Sequence, residues 1–284
     1  MKIKRDLILI LKYVILSAVL FIMMYPLLYT LFASFKSNME LMVNTSSMLP
    51  ERFSVENYAK IFDKANNFNF PRMILNSIYQ ASVNIITSVL VSAVTAYVYV
   101  RGEFPGKKIV FGVFMSLMFI TTGGLTVYPT FKIFSFLHIP IGLNAMLIRG
   151  LFSLSVSHML LVTGYIKAAP KEIDEAAEVD GCGFIGTFFR VILPNLKPIM
   201  ATLIILIFNS SWNSYIAPAM YTATVTEQQT LMVGLMSLKT GGDAAANWNI
   251  LLAGSVIACL PVVVIFIFFN RFITESVVGS AVKG

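Results

Sequence analysis

Four stretches of 23 to 28 residues run through this 284-residue chain without one Asp, Glu, Lys or Arg: Tyr13 to Phe35, Met73 to Val100, Ile109 to Phe131 and Ala244 to Asn270. A hydrocarbon core about 30 Å thick takes about 20 helical residues at 1.5 Å each, so every one of them can cross a bilayer. Two more segments bring the expected number to six. Leu143 to Ile166 is apolar apart from Arg149 and His158, and Pro198 to Thr226 turns polar after Ser210. Only 12% of the chain is charged and 57% is hydrophobic, against about 25% charged in a soluble domain. That leaves too little polar surface to cover a globule in water, and disorder is excluded on the same ground. The expected fold class is all-α: one polytopic membrane domain over residues 1–284 with six transmembrane helices and a cytoplasmic loop at 167–198.

Six spans put both ends on one side. Lysines and arginines number 13 on that side and 8 on the other, and five of the eight fall in the long, acid-balanced stretch Lys36 to Arg72. Both termini are therefore expected in the cytoplasm. The net charge of +7 is spread in small groups between apolar runs, as membrane-flanking residues are, and points to no nucleic acid. Cys182 and Cys259 form no disulfide framework and no zinc spacing. The basic start (Lys2, Lys4, Arg5) leads into an apolar run longer than a signal-peptide core, with no A-x-A site after it, and is expected to remain as the first span.

The most informative loop is Lys167 to Pro198. Five carboxylates fall within nine residues there (Glu172, Asp174, Glu175, Glu178, Asp180) in a chain that is otherwise poor in charge. Pro170 suits a first helical turn, the acids suit the positive end of the macrodipole, and Gly181 suits a left-handed C-terminal residue. Ile173, Ala176 and Ala177 share a face. A second short helix, about Phe184 to Ile192, is expected to be stopped by Pro194. A merely solvated connector is the plain alternative.

Glu175-Ala176-Ala177, Gly181, Val191, Leu193 and Pro194 together closely resemble the EAA signature of ABC importer permeases, with Val191 where that family usually has Ile. The likeness extends to Leu49–Tyr58, Phe104–Lys108, Trp212-Asn213 and Gly279–Gly284, which look like carbohydrate-uptake permeases, specifically the smaller permease of maltose-type oligosaccharide importers. Ser276 and Ser280 stand where glycines would be expected in that tail. The resemblance implies a bacterial cytoplasmic-membrane protein that is no enzyme. Its coupling residues would be Pro170, Ile173, Asp174, Glu175, Ala176, Ala177, Asp180, Gly181, Leu193 and Pro194, in a helix that docks on an ATPase. The implied partners are a second, homologous permease, two ABC ATPase subunits that bind ATP-Mg, an extracellular solute-binding protein, and a carbohydrate substrate.

The chain supplies no phosphate-binding loop of its own. Gly102 to Lys108 has three residues between its glycines where four are needed, and ends in Lys where Ser or Thr should stand. H-E-x-x-H, G-x-S-x-G and cysteine clusters are absent, so no metal site, cofactor or catalytic residue is expected. Polar groups inside spans mark candidates for a substrate path, because they are costly against lipid. Asn209, Ser210, Trp212, Asn213 and Tyr215 offer amides, hydroxyls and rings to a sugar. Thr121 lies in the third span, and Asn76, Gln80 and Asn84 form one stripe on the second. Packing between helices is the alternative for all of these. His158 is taken as a packing group, and Arg149 as a charge carried to the interface on its long stem, with no transport role. An ion-driven secondary carrier or channel should show carboxylates inside its spans; all fourteen acidic residues fall outside these. A scaffold that regulates an ATPase without moving solute is a third reading.

Overall fold

The structure, a computed structural model, describes residues 2–63, 69–119, 126–240 and 248–281. Helices make up every regular element among them, with no strand. In chain order these are α1 (Lys2–Ala33), α2 (Asn38–Val43), α3 (Glu56–Phe62), α4 (Phe70–Arg101), α5 (Lys107–Met118), α6 (Val127–Phe136), α7 (Leu143–Leu151) and α8 (Val156–Ala168). They continue as α9 (Glu172–Val179), α10 (Phe184–Thr187), α11 (Leu193–Asn195), α12 (Lys197–Trp212), α13 (Ile216–Tyr221), α14 (Leu231–Thr240) and α15 (Trp248–Ala281).

Among the described residues, four segments are long and apolar enough to cross a membrane: Ile8–Ala33, Phe70–Arg101, Leu143–Ala168 and Trp248–Phe269. A fifth arises if Phe184–Asn195 and Lys197–Trp212, which meet at a 74° bend, are taken as one. The third expected span takes in α5 and the start of α6, and residues 120–125 of it lie outside the described residues. The fifth is shorter than its hydropathy suggests. Helix α12 stops at Trp212, where Asn209 and Asn213 bond one another, and helix resumes only at Ile216.

Close contacts divide the chain into two compact units, Met1–Phe70 with Gly234–Pro261, and Pro71–Val233 with Val262–Gly284. In the first, the membrane-length window of α1, Ile8–Ala33, is strongly apolar, and among the described residues none buries it. A helix of that kind needs lipid or another chain around it. The loop after it folds on itself: the Lys36 ammonium is wholly buried, donates to the Ser47 carbonyl and lies 3.9 Å from Glu40. Asn57 donates to the carbonyls of Ser34 and Lys36, both at 2.8 Å, and its own oxygen accepts from Asn249 of α15 at 2.6 Å. Gly254 packs closely, and a Cβ there would stand 2.5 Å from Leu235 Cδ2, so the leucine side chain would have to shift to admit one.

The second unit is built on α4. Val89, Ala93, Ala96 and Tyr97 line one face and pack on Met159, Val162 and Ile166 of α8 and on Ile199, Leu203 and Ile207 of α12. The two alanines let the helices approach closely, which matters because lipid removes the hydrophobic drive and leaves packing to hold helices together. A second cluster gathers α6 and α7 around Tyr221, which stacks on Phe131 at 4.6 Å.

The expected stop at Pro194 does not occur. Residues Phe188–Ile192 form a π turn in which the Leu193 N–H donates to the Phe188 carbonyl, and helix continues as α11 to Asn195. Proline has no N–H to offer and crowds the preceding turn; widening the hydrogen-bonded ring from i−4 to i−5 gives it room. Pro170 likewise sits just ahead of the cap residue Lys171 of α9, not within the first turn.

Candidate functional site

Two regions of the second unit gather the residues singled out by sequence. The first is the segment from α9 to α11. Helix α9 starts where the Lys171 carbonyl accepts from the N–H groups of Asp174 (2.9 Å) and Glu175 (3.1 Å). Its first turn holds Glu172, Asp174 and Glu175, the charges favoured at that end of a helix. It closes on Gly181 at φ +79°, with Gly181 N–H donating to the Glu178 carbonyl and Cys182 N–H to that of Ala177. This double bond pattern is a Schellman motif, and the left-handed residue at its centre is the reason for glycine.

The helix stands on α4. The Arg101 guanidinium lies 2.7 Å from Asp174 Oδ2, and both side chains are largely buried. One turn earlier, the Tyr97 hydroxyl donates to the Phe184 carbonyl at 3.0 Å while its ring packs 4.6 Å from Phe184 and 5.1 Å from Phe188. Of the coupling candidates, Ala177 faces inward and Asp174 is held by Arg101. Pro170, Ile173, Glu175, Ala176, Asp180, Gly181 and Pro194 are exposed, and Leu193 is half-buried. Val179 (88% exposed) and Ile185 (72%) add apolar surface beside the acids.

The second region is a cavity of about 250 Å³. The amide stripe of α4 leads to it. Asn76 donates to the carbonyls of Glu227 and Gln229, both at 2.8 Å, and Gln80 donates to the Ser211 carbonyl at 3.2 Å. Asn84 donates to the Ser211 hydroxyl at 2.8 Å. Gln80 and Asn84 reach the cavity; Asn76 serves packing. Facing them are two breaks in helix, Phe152–Ser155 between α7 and α8 and Asn213–Tyr215 between α12 and α13, which contribute Ser153 and Ser214. Unwound backbone at membrane depth is tolerated where it is buried in protein or lines a water-filled space.

The sequence candidates fare unevenly here. Asn84 and Ser210 line the cavity. Trp212 does not: it is 2% exposed and stacks on Phe208 in the helix packing. Asn209, Asn213 and Tyr215 are exposed outside the cavity wall, and Thr121 lies outside the described residues. Arg149 and His158, set aside in the sequence reading, both line it. Arg149 donates to Thr126 Oγ1 at 2.9 Å. The signal that could have found them was the lone ionisable residue inside an apolar run. Among the described residues no His, Cys, Asp or Glu cluster suited to a metal ion occurs.

The profile of a family described as "binding-protein-dependent transport system inner membrane component" matches residues 3–278. The arabinooligosaccharides transport system permease protein AraQ of Halalkalibacterium halodurans is 29% identical over 266 residues, covering 93% of this chain and 92% of the relative. The galactooligosaccharides transport system permease protein GanQ of Bacillus subtilis is 27% identical, covering 100% and 99%. In fold, the chain is similar to part of a bacterial ABC transporter involved in the import of the acidic polysaccharide alginate, with TM-score 0.77, 20% identity, and 94% and 96% of the two chains covered.

Proposed function

Because this chain belongs to the family of binding-protein-dependent transport system inner membrane components, we propose that it forms half of the passage of an ATP-driven carbohydrate importer, with an oligosaccharide as substrate. As a permease it is a multi-pass protein of the bacterial cytoplasmic membrane and is not itself an enzyme. Membership carries with it an ATPase and an external binding protein as partners. Relatives transporting arabino- and galactooligosaccharides support the substrate class. The ion-driven carrier reading is not favoured.

The finer scheme has six spans, with both ends and residues 167–198 in the cytoplasm, and a heteromeric second permease. Helix α9 is the coupling helix and sits in a cleft of an ATPase subunit that holds ATP-Mg. One observation carries it: α9 is a short acidic helix, exposed on its outer side, fixed at its far end by Gly181 and pinned to α4 through Asp174 and Arg101. A projection fixed in this way moves α4 when it is moved, and α4 also bears the amides that line the cavity.

The test uses the whole complex. Glu175→Lys reverses one exposed charge, and Gly181→Trp places bulk where nothing lies within 4 Å. Both are expected to lower ATPase co-purification and ATP-driven sugar uptake by about tenfold or more. Gly181→Asn, which tolerates a left-handed backbone, separates docking from strain by retaining most of both. Unchanged assembly and uptake in Glu175→Lys and Gly181→Trp would overturn the coupling assignment.

A further inference from the structure

Among the described residues the cavity is lined by one cation and no anion. Arg149 lines it from the end of α7, and no Asp or Glu is among its lining residues. Of the five N–H donors of its guanidinium, the described residues occupy one, through Thr126. Arg149 forms no ion pair with any described residue. Two more lining residues are short of partners: Gln80 Oε1 and His158 Nδ1 are buried with no hydrogen bond among the described residues.

The location makes this unusual. Asn84 and Gln80 lie near the middle of α4, and Arg149 and His158 flank the break in a membrane-length segment, Leu143–Ala168. A charge at such a depth normally meets an opposite charge or a water-filled space. Here the space is present, and the opposite charge is missing from the described wall. Hydroxyl and amide groups surround it: Asn84, Ser88, Ser153, Ser210 and Ser214 match the hydroxyls of a sugar without contributing charge.

We propose that the cavity is a sugar subsite that selects a glycan bearing an anionic group, with the Arg149 guanidinium as its carboxylate- or phosphate-binding element. The inference rests on the importer reading and deepens it. The guanidinium fork presents parallel N–H groups that match the two oxygens of a carboxylate or a phosphate, whereas a neutral hydroxyl engages one. The amides of α4 then fix the uncharged part of the sugar, and His158 Nδ1 and Gln80 Oε1 acquire partners when the site fills.

The chain has only two cysteines, so a Cys182→Ser, Cys259→Ser background carrying Ser153→Cys places one reporter thiol in the cavity. The solubilised complex, without its binding protein, is labelled with a membrane-impermeant maleimide in the presence of galactobiose, digalacturonate or glucose 6-phosphate. Digalacturonate is expected to protect the thiol at about tenfold lower concentration than galactobiose. Glucose 6-phosphate distinguishes a general anion site from one shaped for a carboxylate. Arg149→Gln should erase the preference, and Arg149→Lys should restore part of it, which a purely structural arginine would not do. Equal protection by the neutral and acidic disaccharides, protection by neither, or a preference that survives Arg149→Gln would overturn the inference. ATP-driven uptake of a neutral glycan by the same complex would then leave the importer reading standing.

Discussion

The two halves of α4 hold their neighbours by different means. Its C-terminal half is an apolar rail of Val89, Ala93, Ala96 and Tyr97 that ends in the Arg101–Asp174 ion pair. Its N-terminal half is an amide ladder of Asn76, Gln80 and Asn84, each bonded to a backbone or hydroxyl group of a later segment. Apolar packing locks a shape and tolerates little change in volume. Hydrogen-bonded amides can exchange one partner for another, including water or a ligand, at modest cost. One helix therefore offers a stiff attachment for the acidic loop and an exchangeable lining for the cavity.

The contrast breaks most readily at Tyr97. Replacing it with Ala removes a buried ring packed between Phe184 and Phe188, with an expected cost of about 3–5 kcal/mol in unfolding of the detergent-solubilised protein. Tyr97→Phe, losing only the bond to the Phe184 carbonyl, should cost about 1 kcal/mol. Asp174→Ala strands the Arg101 guanidinium and should cost about 2–4 kcal/mol. A double-mutant cycle with Arg101→Ala measures the pair itself, and an interaction energy near zero would show that α9 is not held by charge. These rail variants should reduce ATP-driven uptake while leaving the half-saturating sugar concentration near its original value.

The ladder variants should separate by what each amide reaches, since Asn76 serves packing and Asn84 lines the cavity. Asn76→Ala leaves two carbonyls without a donor and is expected to cost about 1–3 kcal/mol. Asn84→Ala should raise the half-saturating sugar concentration several-fold, on the order of one lost hydrogen bond, with little loss of stability. A variant of either half that moved stability and half-saturation together would erase the distinction. The smallest effect is expected away from α4, at the exposed Glu56, whose carboxyl a hydrogen bond from Lys60 and its charge hold below the ordinary value of 4.5. Because the folded value is the lower one, the contribution is complete above pH 4.5 and is lost as pH falls through the lowered value. The difference between wild type and Glu56→Gln, followed by melting temperature across acidic pH, should shrink in that window and be barely measurable throughout.

Features with a local cause were visible in the sequence. Gly181 follows an acidic helix at the spacing where a left-handed residue ends it, and it has the positive φ expected. The stripe of Asn76, Gln80 and Asn84 follows from a four-residue spacing alone, and all three turn toward the segment 211–229. A sequence does not say which side of a helix faces a neighbour, and the Trp212 ring turns to Phe208 and the core. Pro194 misled because a proline breaks an α-turn, and the compensating π turn depends on the packing of Phe188 and Ile192.

Composition and charge spacing alone determined that the chain is helical and membrane-bound, and where its acidic loop lies, because hydropathy and turn chemistry act over a few neighbouring residues. Which side chains meet was decided by tertiary structure: Arg101 with Asp174, Asn84 with Ser211, and Arg149 with the cavity wall. Those partners lie tens of residues or more apart in sequence, and where helices break at Phe152–Ser155 and Asn213–Tyr215 sets which of them face a common space.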